Sequence, residues 1–457
     1  MPDQVEFKVK LAMTIAKHLS KLVPLAYLAA VLTPATLAML GPQAGDGESP
    51  LYQAGRCCAL TAITILSLQV LLSGRFKVLE RFFGLDVMVR FHRRMAAAAM
   101  VLFLLHPVLL ALGGEGLKLL YSLDLPWYIW MAKAGAGLLV LNGFLSLLQR
   151  PFKLSFERWR FLHDLLGPAG LAAVFTHSWF VERGFAGQAL SRLWPVMAGG
   201  FCLLFAWHRF ARPALAAMRP YTVSAVRLEA PGVWTLIMTP PPGAKVFSYL
   251  PGQFQFLTLK RGRGLPNQEH HFTISSSPGQ RRYVSSTIKE LGDFTATIGR
   301  TAKGDKVAVD GPYGRFSYLL HPEDQDLVFL AAGIGITPLM SMLRHMRDTR
   351  SDLPVHLIYA NRGPLDMAFG HELEAIASGK HPKLRVTHVL SSPEPGWPGE
   401  TGHVGEGLLK RVLGDDLTGK SFYVSGPPGL VAECLKVLKR LQVPSWRIRR
   451  EMFSLLD

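Results

Sequence analysis

Four histidines stand in two pairs of equal spacing: His92 with His106, and His163 with His177, fourteen residues apart in each pair. On an α-helix that separation is about 21 Å of rise, with the second residue only about 40° round from the first. Each pair therefore lines one helix face at two depths. If the two helices run in the same direction, His92 faces His163 at one level and His106 faces His177 at the other. Two neutral imidazoles at one depth on neighbouring helices are the axial ligand set of a six-coordinate haem, and the second level makes a second one. A lone histidine inside a membrane is more often a hydrogen-bonded helix contact; the matched spacing is what favours ligation here. Ligation from both sides leaves neither iron an open position, so an acceptor would be reduced by outer-sphere transfer.

Such helices must be membrane spans. Apolar segments of helical length run roughly over 22–40, 57–74, 91–112, 127–148, 163–181 and 193–210. Each approaches the ~20 residues that cross ~30 Å of hydrocarbon. Hydrophobic residues make up 49% of the 457-residue chain and mean hydropathy is +0.21, yet 50 Lys and Arg and 33 Asp and Glu also occur. A membrane part joined to a soluble part reconciles these figures. The net charge of +17 would ordinarily raise nucleic-acid binding, but the basic residues flank the spans. Lys8, Lys10, Lys17 and Lys21 lie in an amphipathic stretch from Gln4 to Lys21 that reads as an interfacial helix rather than a signal peptide. Arg75, Lys77, Arg81 and Arg90 follow the second span, and Arg150, Lys153, Arg158 and Arg160 follow the fourth. The opposite side has only Arg56, Lys118, Arg183 and Arg192. The positive-inside rule then puts both termini in the cytoplasm, in an integral protein of the cytoplasmic membrane with no nucleic-acid partner. Haem propionates need cations; Arg93 and Arg94 at the inner level and Arg56 at the outer mouth of the second span are the candidates. The four cysteines (Cys57, Cys58, Cys202 and Cys434) form no C-x-x-C pattern, which leaves c-type haem, zinc and iron–sulfur sites unsupported.

From Tyr221 the long apolar runs give way to short alternating ones: Thr222–Leu228, Val233–Met238 and Gln253–Leu259, with turns at Pro240–Gly243 and Pro251–Gly252. This pattern predicts an antiparallel barrel. Beyond it, strand and helix signals alternate through 327–333, a helix from about Pro338, and 355–362, 384–390 and 422–429. That alternation predicts a doubly wound parallel sheet. Its first strand runs into Gly333-Ile334-Gly335-Ile336-Thr337-Pro338 and a helix. Glycines there let the backbone approach a pyrophosphate, and the helix start supplies N–H donors.

With those motifs in place, the chain from about residue 20 onward resembles the NADPH oxidase/ferric reductase superfamily, and within it bacterial NADPH-oxidase-like transmembrane flavocytochromes b. The resemblance implies a six-helix transmembrane bis-haem bundle over 1–215, an antiparallel β-barrel FAD domain over 216–320, and an α/β Rossmann-like NAD(P)H domain over 321–457, the last two ferredoxin-reductase-like. His270-His271-Phe272-Thr273 resembles the flavin motif H-P-F-T, with His271 in place of proline, and so implies FAD contacts from His270, Phe272 and Thr273. The stretch 288–295 resembles the clasp of the FAD pyrophosphate and implicates Ile288, Lys289, Gly292 and Thr295. Gly311 to Gly314 resembles a barrel-closing turn. Gly333, Gly335, Thr337 and Pro338 match G-x-G-x-T-P, and Arg362 matches the arginine near an adenosine 2′-phosphate, which favours NADPH over NADH. Ser425-Gly426-Pro427 stands where the family has C-G-P, serine replacing the thiol near the nicotinamide. Phe453 resembles the terminal aromatic that shields the flavin.

The resemblance implies electron flow from NAD(P)H through FAD and two haems b to an extracytoplasmic acceptor, with no triad or paired carboxylate to seek. Oxygen, giving superoxide, leads, because the GDFT and AGIGITP elements look closest to NADPH oxidases. A ferric chelate is the near rival, and a periplasmic protein or a quinone is third. A receptor or transporter with a nucleotide-sensing domain would explain the spans and the glycine loop, but not the matched histidines or the flavin motif.

Overall fold

The computed structural model describes residues 2–40, 49–149, 151–181, 188–262 and 264–452. Its contacts divide the chain into two units, Met1–Ala211 and Arg212–Asp457. Long runs rich in Leu, Ala and Val fold the first unit as helices: α1 (Pro2–Leu40), α2 (Pro50–Ser73), α3 (Lys77–Phe83), α4 (Leu85–Leu110), α5 (Lys118–Tyr121), α6 (Trp127–Leu147), α7 (Phe156–Val181) and α8 (Gln188–Ala206). The lysine-rich stretch expected to lie along the interface continues without a break into the first apolar run, as one helix. Among the described residues, five segments are long and apolar enough to cross a membrane: Lys21–Leu40, Pro50–Ser73, Leu85–Glu115, Trp127–Leu147 and Leu190–Met218. Helix α7 has 26 residues but is not among them; Glu157, Arg158, Arg160 and Asp164 fall in its first turns. Arg150 and Arg183, counted above for orientation, lie outside the described residues.

Within hydrocarbon, helices gain little from burying apolar surface against one another, so close backbone approach through small residues becomes the contact. Helices α6 and α7 meet in this way. A Cβ on Gly135 would stand 2.8 Å from Val174 and 3.0 Å from the Gly170 carbonyl, and one on Gly170 would stand 2.8 Å from Leu139. Gly55 of α2 is buried against α4, where an added Cβ would meet Leu109 at 3.1 Å.

The second unit opens with α9 (Arg212–Met218) and six strands: β1 (Tyr221–Ala230), β2 (Val233–Thr239), β3 (Phe254–Lys260), β4 (Glu269–Thr273), β5 (Val284–Lys289) and β6 (Lys306–Tyr313). They form one antiparallel sheet in the order β4-β3-β6-β1-β2-β5. Alternation turns Leu236, Met238, Leu257 and Leu259 into one core with Ile288 and Phe294. Its two edges approach where the Ser275 amide donates to the Ser285 carbonyl at 2.8 Å.

The remainder is α/β: β7 (Asp326–Ala332), α10 (Ile336–Asp348), β8 (Pro354–Asn361), α11 (Gly370–Ala377), β9 (Lys383–Leu390), β10 (Glu400–Thr401), α12 (Glu406–Leu413), β11 (Lys420–Gly426), α13 (Pro428–Arg440) and β12 (Ile448–Met452). All six strands are parallel, in the order β10-β9-β8-β7-β11-β12. Helices α10 and α11 cover one face through Leu339, Met340, Leu343 and Leu373, and α12 and α13 the other through Leu408, Leu409, Val431 and Val437. Strand order reverses between β7 and β11, so the crevice for a ligand opens at the carboxyl ends of those two strands.

Asp324, 4% exposed, ties the entry of β7 to β11. It accepts from Ser421 Oγ and Tyr423 Oη, each at 2.8 Å, with Arg449 of β12 at 3.5 Å. Burial, reinforced by this carboxylate, pushes the Tyr423 phenol far above its usual range, so it remains a donor. Tyr423→Phe leaves one oxygen of a buried carboxylate short of its donor and is expected to lower stability by about 1–2 kcal/mol. The measurement is the denaturant midpoint of the transition followed by flavin release.

Candidate functional site

In the first unit the histidines sit half-buried on α4 and α7. The rings of His92 and His163 face each other with centroids 6.2 Å apart and planes at 66°. An imidazole nitrogen lies about 2 Å from a transition metal it binds, so two rings on opposite sides of one metal have centroids roughly 6 Å apart. The spacing fits a group held between them. Helix α4 packs chiefly on α2 and α7 on α6, with little direct backbone contact between α4 and α7.

At the other level, His106 Nδ1 lies 2.9 Å from the Gly55 carbonyl, and His177 Nδ1 lies 2.9 Å from the Tyr128 carbonyl. A carbonyl only accepts, so in both rings the proton sits on Nδ1 and Nε2 keeps its lone pair. A second contact of this kind fixes tautomer and ring orientation in metal-ligating histidines. His163 reaches the same state by another route. Ser146 Oγ donates to the Asn142 carbonyl at 2.8 Å and accepts from Trp159 Nε1 at 3.1 Å, which leaves only acceptor capacity toward His163 Nδ1 at 3.4 Å. The protonation of His106, His163 and His177 is therefore that of metal-ligating histidines, and the ring spacing of His92 and His163 suits a group held between them. Neither the two carbonyls nor Ser146 was visible in the sequence: a carbonyl carries no residue-type signal, and Ser146 precedes its partner across a turn. Arg56 adjoins the Gly55 carbonyl that holds His106, which sets it at the level of His106; Arg93 and Arg94 are exposed beside His92.

In the second unit, strand alternation splits the expected flavin contacts. His270 and Phe272 share the face of the core, and the His270 ring stacks on Phe294 at 4.0 Å. Thr273 points to the other face, opposite Phe254, while His271 packs between Phe254 and Phe256. Ile288 is 2% exposed within the core, so its contact with a flavin would run through its backbone. Lys289 ends β5, half-buried. Thr295 Oγ1 accepts from the amides of Leu291 and Gly292, both at 2.9 Å, and so organises the loop beside which Gly292 faces open space. An exposed glycine turn of this kind fits a phosphate approaching the backbone. Gly311 packs on Gln255, and the Gly314 carbonyl accepts from Gln253 Nε2 at 2.8 Å.

The glycine loop stands at the switch point. Gly333 has a positive φ of 50° and open space where a Cβ would point. Thr337 Oγ1 donates to the Ile334 carbonyl at 3.0 Å, and Pro338 lies in the first turn of α10. Gly335 packs on β11 so closely that an added Cβ would overlap the Ser425 carbonyl and lie 2.6 Å from Gly426 Cα. The structure thus joins Gly333, Gly335, Ser425, Gly426 and Pro427 in one crevice. Ser425 is fully buried and its hydroxyl has no partner among the described residues. Arg362 is exposed just past the end of β8, the strand beside β7, where a Rossmann-like sheet reads the adenosine ribose. Glu451 and Met452 pair with Ser425 and Gly426, which brings the end of β12 to the same crevice; Phe453 lies outside the described residues.

Three family models match the chain in succession: a ferric reductase like transmembrane component over residues 58–174, an FAD-binding domain over 218–317 and an oxidoreductase NAD-binding domain over 329–436. The first takes in His92, His106 and His163. Cytochrome b5 reductase 4 of Rattus norvegicus is 34% identical over 168 residues, which cover 36% of this chain and 32% of that protein. The glycine betaine monooxygenase reductase subunit of Chromohalobacter salexigens is 33% identical over 208 residues, covering 42% of this chain and 53% of that one. The chain therefore spans about a third to a half of the length of these relatives. It is an oxidoreductase with membrane helices and with FAD- and NAD-binding domains. Gly335→Ala would force β7 and β11 apart at the crevice; the rate of flavin reduction by NAD(P)H is expected to fall at least ten-fold, read by stopped-flow at the flavin absorption.

Proposed function

The chain has the NADPH oxidase/ferric reductase-type architecture, and from that premise we propose that it carries electrons from cytoplasmic NADPH through FAD and two haems b across the membrane to oxygen, forming superoxide. The reading divides this work among residues 1–215, 216–320 and 321–457, with six spans, a barrel-like flavin domain and both termini in the cytoplasm. The observation that carries it is the pair of Nδ1–carbonyl hydrogen bonds that leave Nε2 of His106 and His177 as the coordinating nitrogens. When bound, FAD supplies interconversion of two-electron and one-electron chemistry, and the haems supply one-electron carriage.

The protein's own groups bind, orient and insulate. His92 with His163, and His106 with His177, hold the inner and outer haems, and Arg56 offers a cation to the outer propionates. His270, Phe272 and Thr273 position the flavin ring, while Lys289, Gly292 and Thr295 with the Ile288 backbone cradle its pyrophosphate. Gly333, Gly335, Thr337 and Pro338 admit the nicotinamide pyrophosphate to the start of α10, and Gly426 and Pro427 shape the nicotinamide end. The orphan hydroxyl of Ser425 gives that pocket a polar group, and Phe453 covers the flavin until nicotinamide arrives. Arg362 offers a planar fork to a 2′-phosphate, which supports NADPH over NADH. A ferric chelate is the second reading, since the transmembrane model that matches is the ferric reductase like one.

The test is anaerobic reduction of FAD-supplied protein by NADPH and, separately, NADH, followed in the haem bands before oxygen is admitted. Rapid reoxidation with trapped superoxide is the expected result. Persistence in air with collapse on adding a ferric chelate moves the acceptor to iron, and reoxidation only by a quinone or an added periplasmic protein moves it there. Absence of haem bands would overturn the reading. His106→Ala should leave one haem per chain instead of two by pyridine haemochrome assay. Arg362→Ser should lower the preference for NADPH over NADH at least ten-fold, about 1.4 kcal/mol of lost phosphate recognition.

A further inference from the structure

Helix α10 carries the nucleotide loop at its start, and its next turns reach back to the flavin half. Ser341 Oγ donates to the Ser276 carbonyl at 2.7 Å, and Arg344 Nη1 donates to the Ser275 carbonyl at 2.6 Å. Those two carbonyls follow Thr273, the last residue of β4, by two and three positions. On its other side Arg344 is held by Glu372 of α11 in a fork, Nε–Oε1 at 2.9 Å and Nη2–Oε2 at 2.5 Å, and its guanidinium lies over the Phe369 ring at 4.9 Å. Arg347 adds a bond to the same carboxylate at 3.3 Å.

The receiving segment is itself fixed by buried hydroxyls. Ser275 Oγ bonds Ser285 Oγ and Thr287 Oγ1, each at 3.0 Å, and Ser276 Oγ meets Tyr249 Oη at 2.9 Å. The Arg344 side chain is only 14% exposed and that of Glu372 30%. Burial alone would raise the Glu372 carboxyl, but the hydrogen bonds and charges of Arg344 and Arg347 outweigh it and hold it low. A desolvated ion pair is a poor source of stability compared with apolar packing; its recognised use is to select one arrangement among several. The arrangement at stake here is the distance between the flavin strand and the nicotinamide loop, and hydride transfer is steep in that distance.

We infer that Arg344, anchored by Glu372, is a positioning residue that sets the nicotinamide loop against the flavin strand for hydride transfer. Its guanidinium is engaged by the Ser275 carbonyl, the Glu372 carboxylate and the Phe369 ring. The inference rests on the NAD(P)H-to-flavin half of the reading above and not on the haems or the acceptor. Hydride leaves C4 of the nicotinamide with its electron pair, the nicotinamide is oxidised and the flavin is reduced; Arg344 contributes only geometry.

The experiment is anaerobic stopped-flow reduction of the full-length, FAD-loaded chain by NADPH and by 4-deuterated NADPH, comparing wild type with Arg344→Gln, Arg344→Lys and Glu372→Gln. Arg344→Gln and Glu372→Gln should lower the limiting rate of flavin reduction at least ten-fold, change the NADPH dissociation constant less than three-fold and alter the deuterium isotope effect. Arg344→Lys, which keeps the charge and a hydrogen-bond donor group but not the planar fork, should recover most of the rate. Wild-type rates and isotope effects in Arg344→Gln and Glu372→Gln would overturn the inference alone. Loss of FAD and of rate together, without rescue by lysine, would also overturn it, reducing the residue to a structural support. A wild-type flavin that neither NADPH nor NADH reduces would instead overturn the hydride-transfer reading itself.

Discussion

Absent side chains decide where the backbones of this protein touch, and the candidate chemistry sits beside those contacts. In the first unit, Gly55 lets α2 and α4 close to the point where its carbonyl reaches His106, and Gly135 with Gly170 brings α6 onto α7, the pair of helices whose Tyr128 carbonyl and His177 imidazole meet. In the second unit, Gly335 lets the turn after β7 lie on the backbone of Ser425 and Gly426. A methyl at Gly335 would meet the backbone of Ser425 and Gly426, which cannot rotate away, and one at Gly55, Gly135 or Gly170 would meet a carbonyl of the facing helix as well as its side chains.

The two histidine levels are built differently. His106 and His177 each donate to a main-chain carbonyl at 2.9 Å, while His163 leans on a serine hydroxyl at 3.4 Å that Trp159 and the Asn142 carbonyl hold in place. A strong acceptor behind an imidazole raises its basicity toward a metal, and a distant hydroxyl does so less. On the haem reading, the outer pair would be the stronger donor set, and the difference arises from the helices behind the rings rather than from the rings.

The soluble half depends on a polar seam in an otherwise apolar interior. Ser275, Ser276, Ser285, Thr287 and Tyr249 satisfy one another where the flavin sheet closes on itself, and Ser341 and Arg344 join that seam to α10. Each member is hydrogen-bonded, as a buried network must be if it is to specify one arrangement. Nothing in the local sequence marks Ser275, Ser276 and Ser277, which follow the flavin motif, as buried. Their burial follows from the two sheet edges meeting, a long-range event with no local signature.

What the sequence determined by itself was whatever repeats with a helical or strand period or stands in a fixed local motif. The fourteen-residue spacing of the histidines, the apolar runs of the spans, the alternation of β1 to β3 and the glycine loop before α10 all belong to this class, and the strands and glycine turn of the structure lie within a residue or two of where those patterns put them. The sequence counts 163–181 as a sixth span, yet α7 with the charges of its first turns is not among the candidate spans of the structure, and β10 and β12 left no signal because a parallel edge strand needs only a neighbour, not a pattern. Tertiary structure alone decided which nitrogen of His106, His163 and His177 is protonated, that the Ile288 side chain faces the core, and that Arg344 holds a carbonyl 69 residues away. Those outcomes are set by carbonyls and by contacts between distant segments. A carbonyl belongs to every residue, so no residue type announces it.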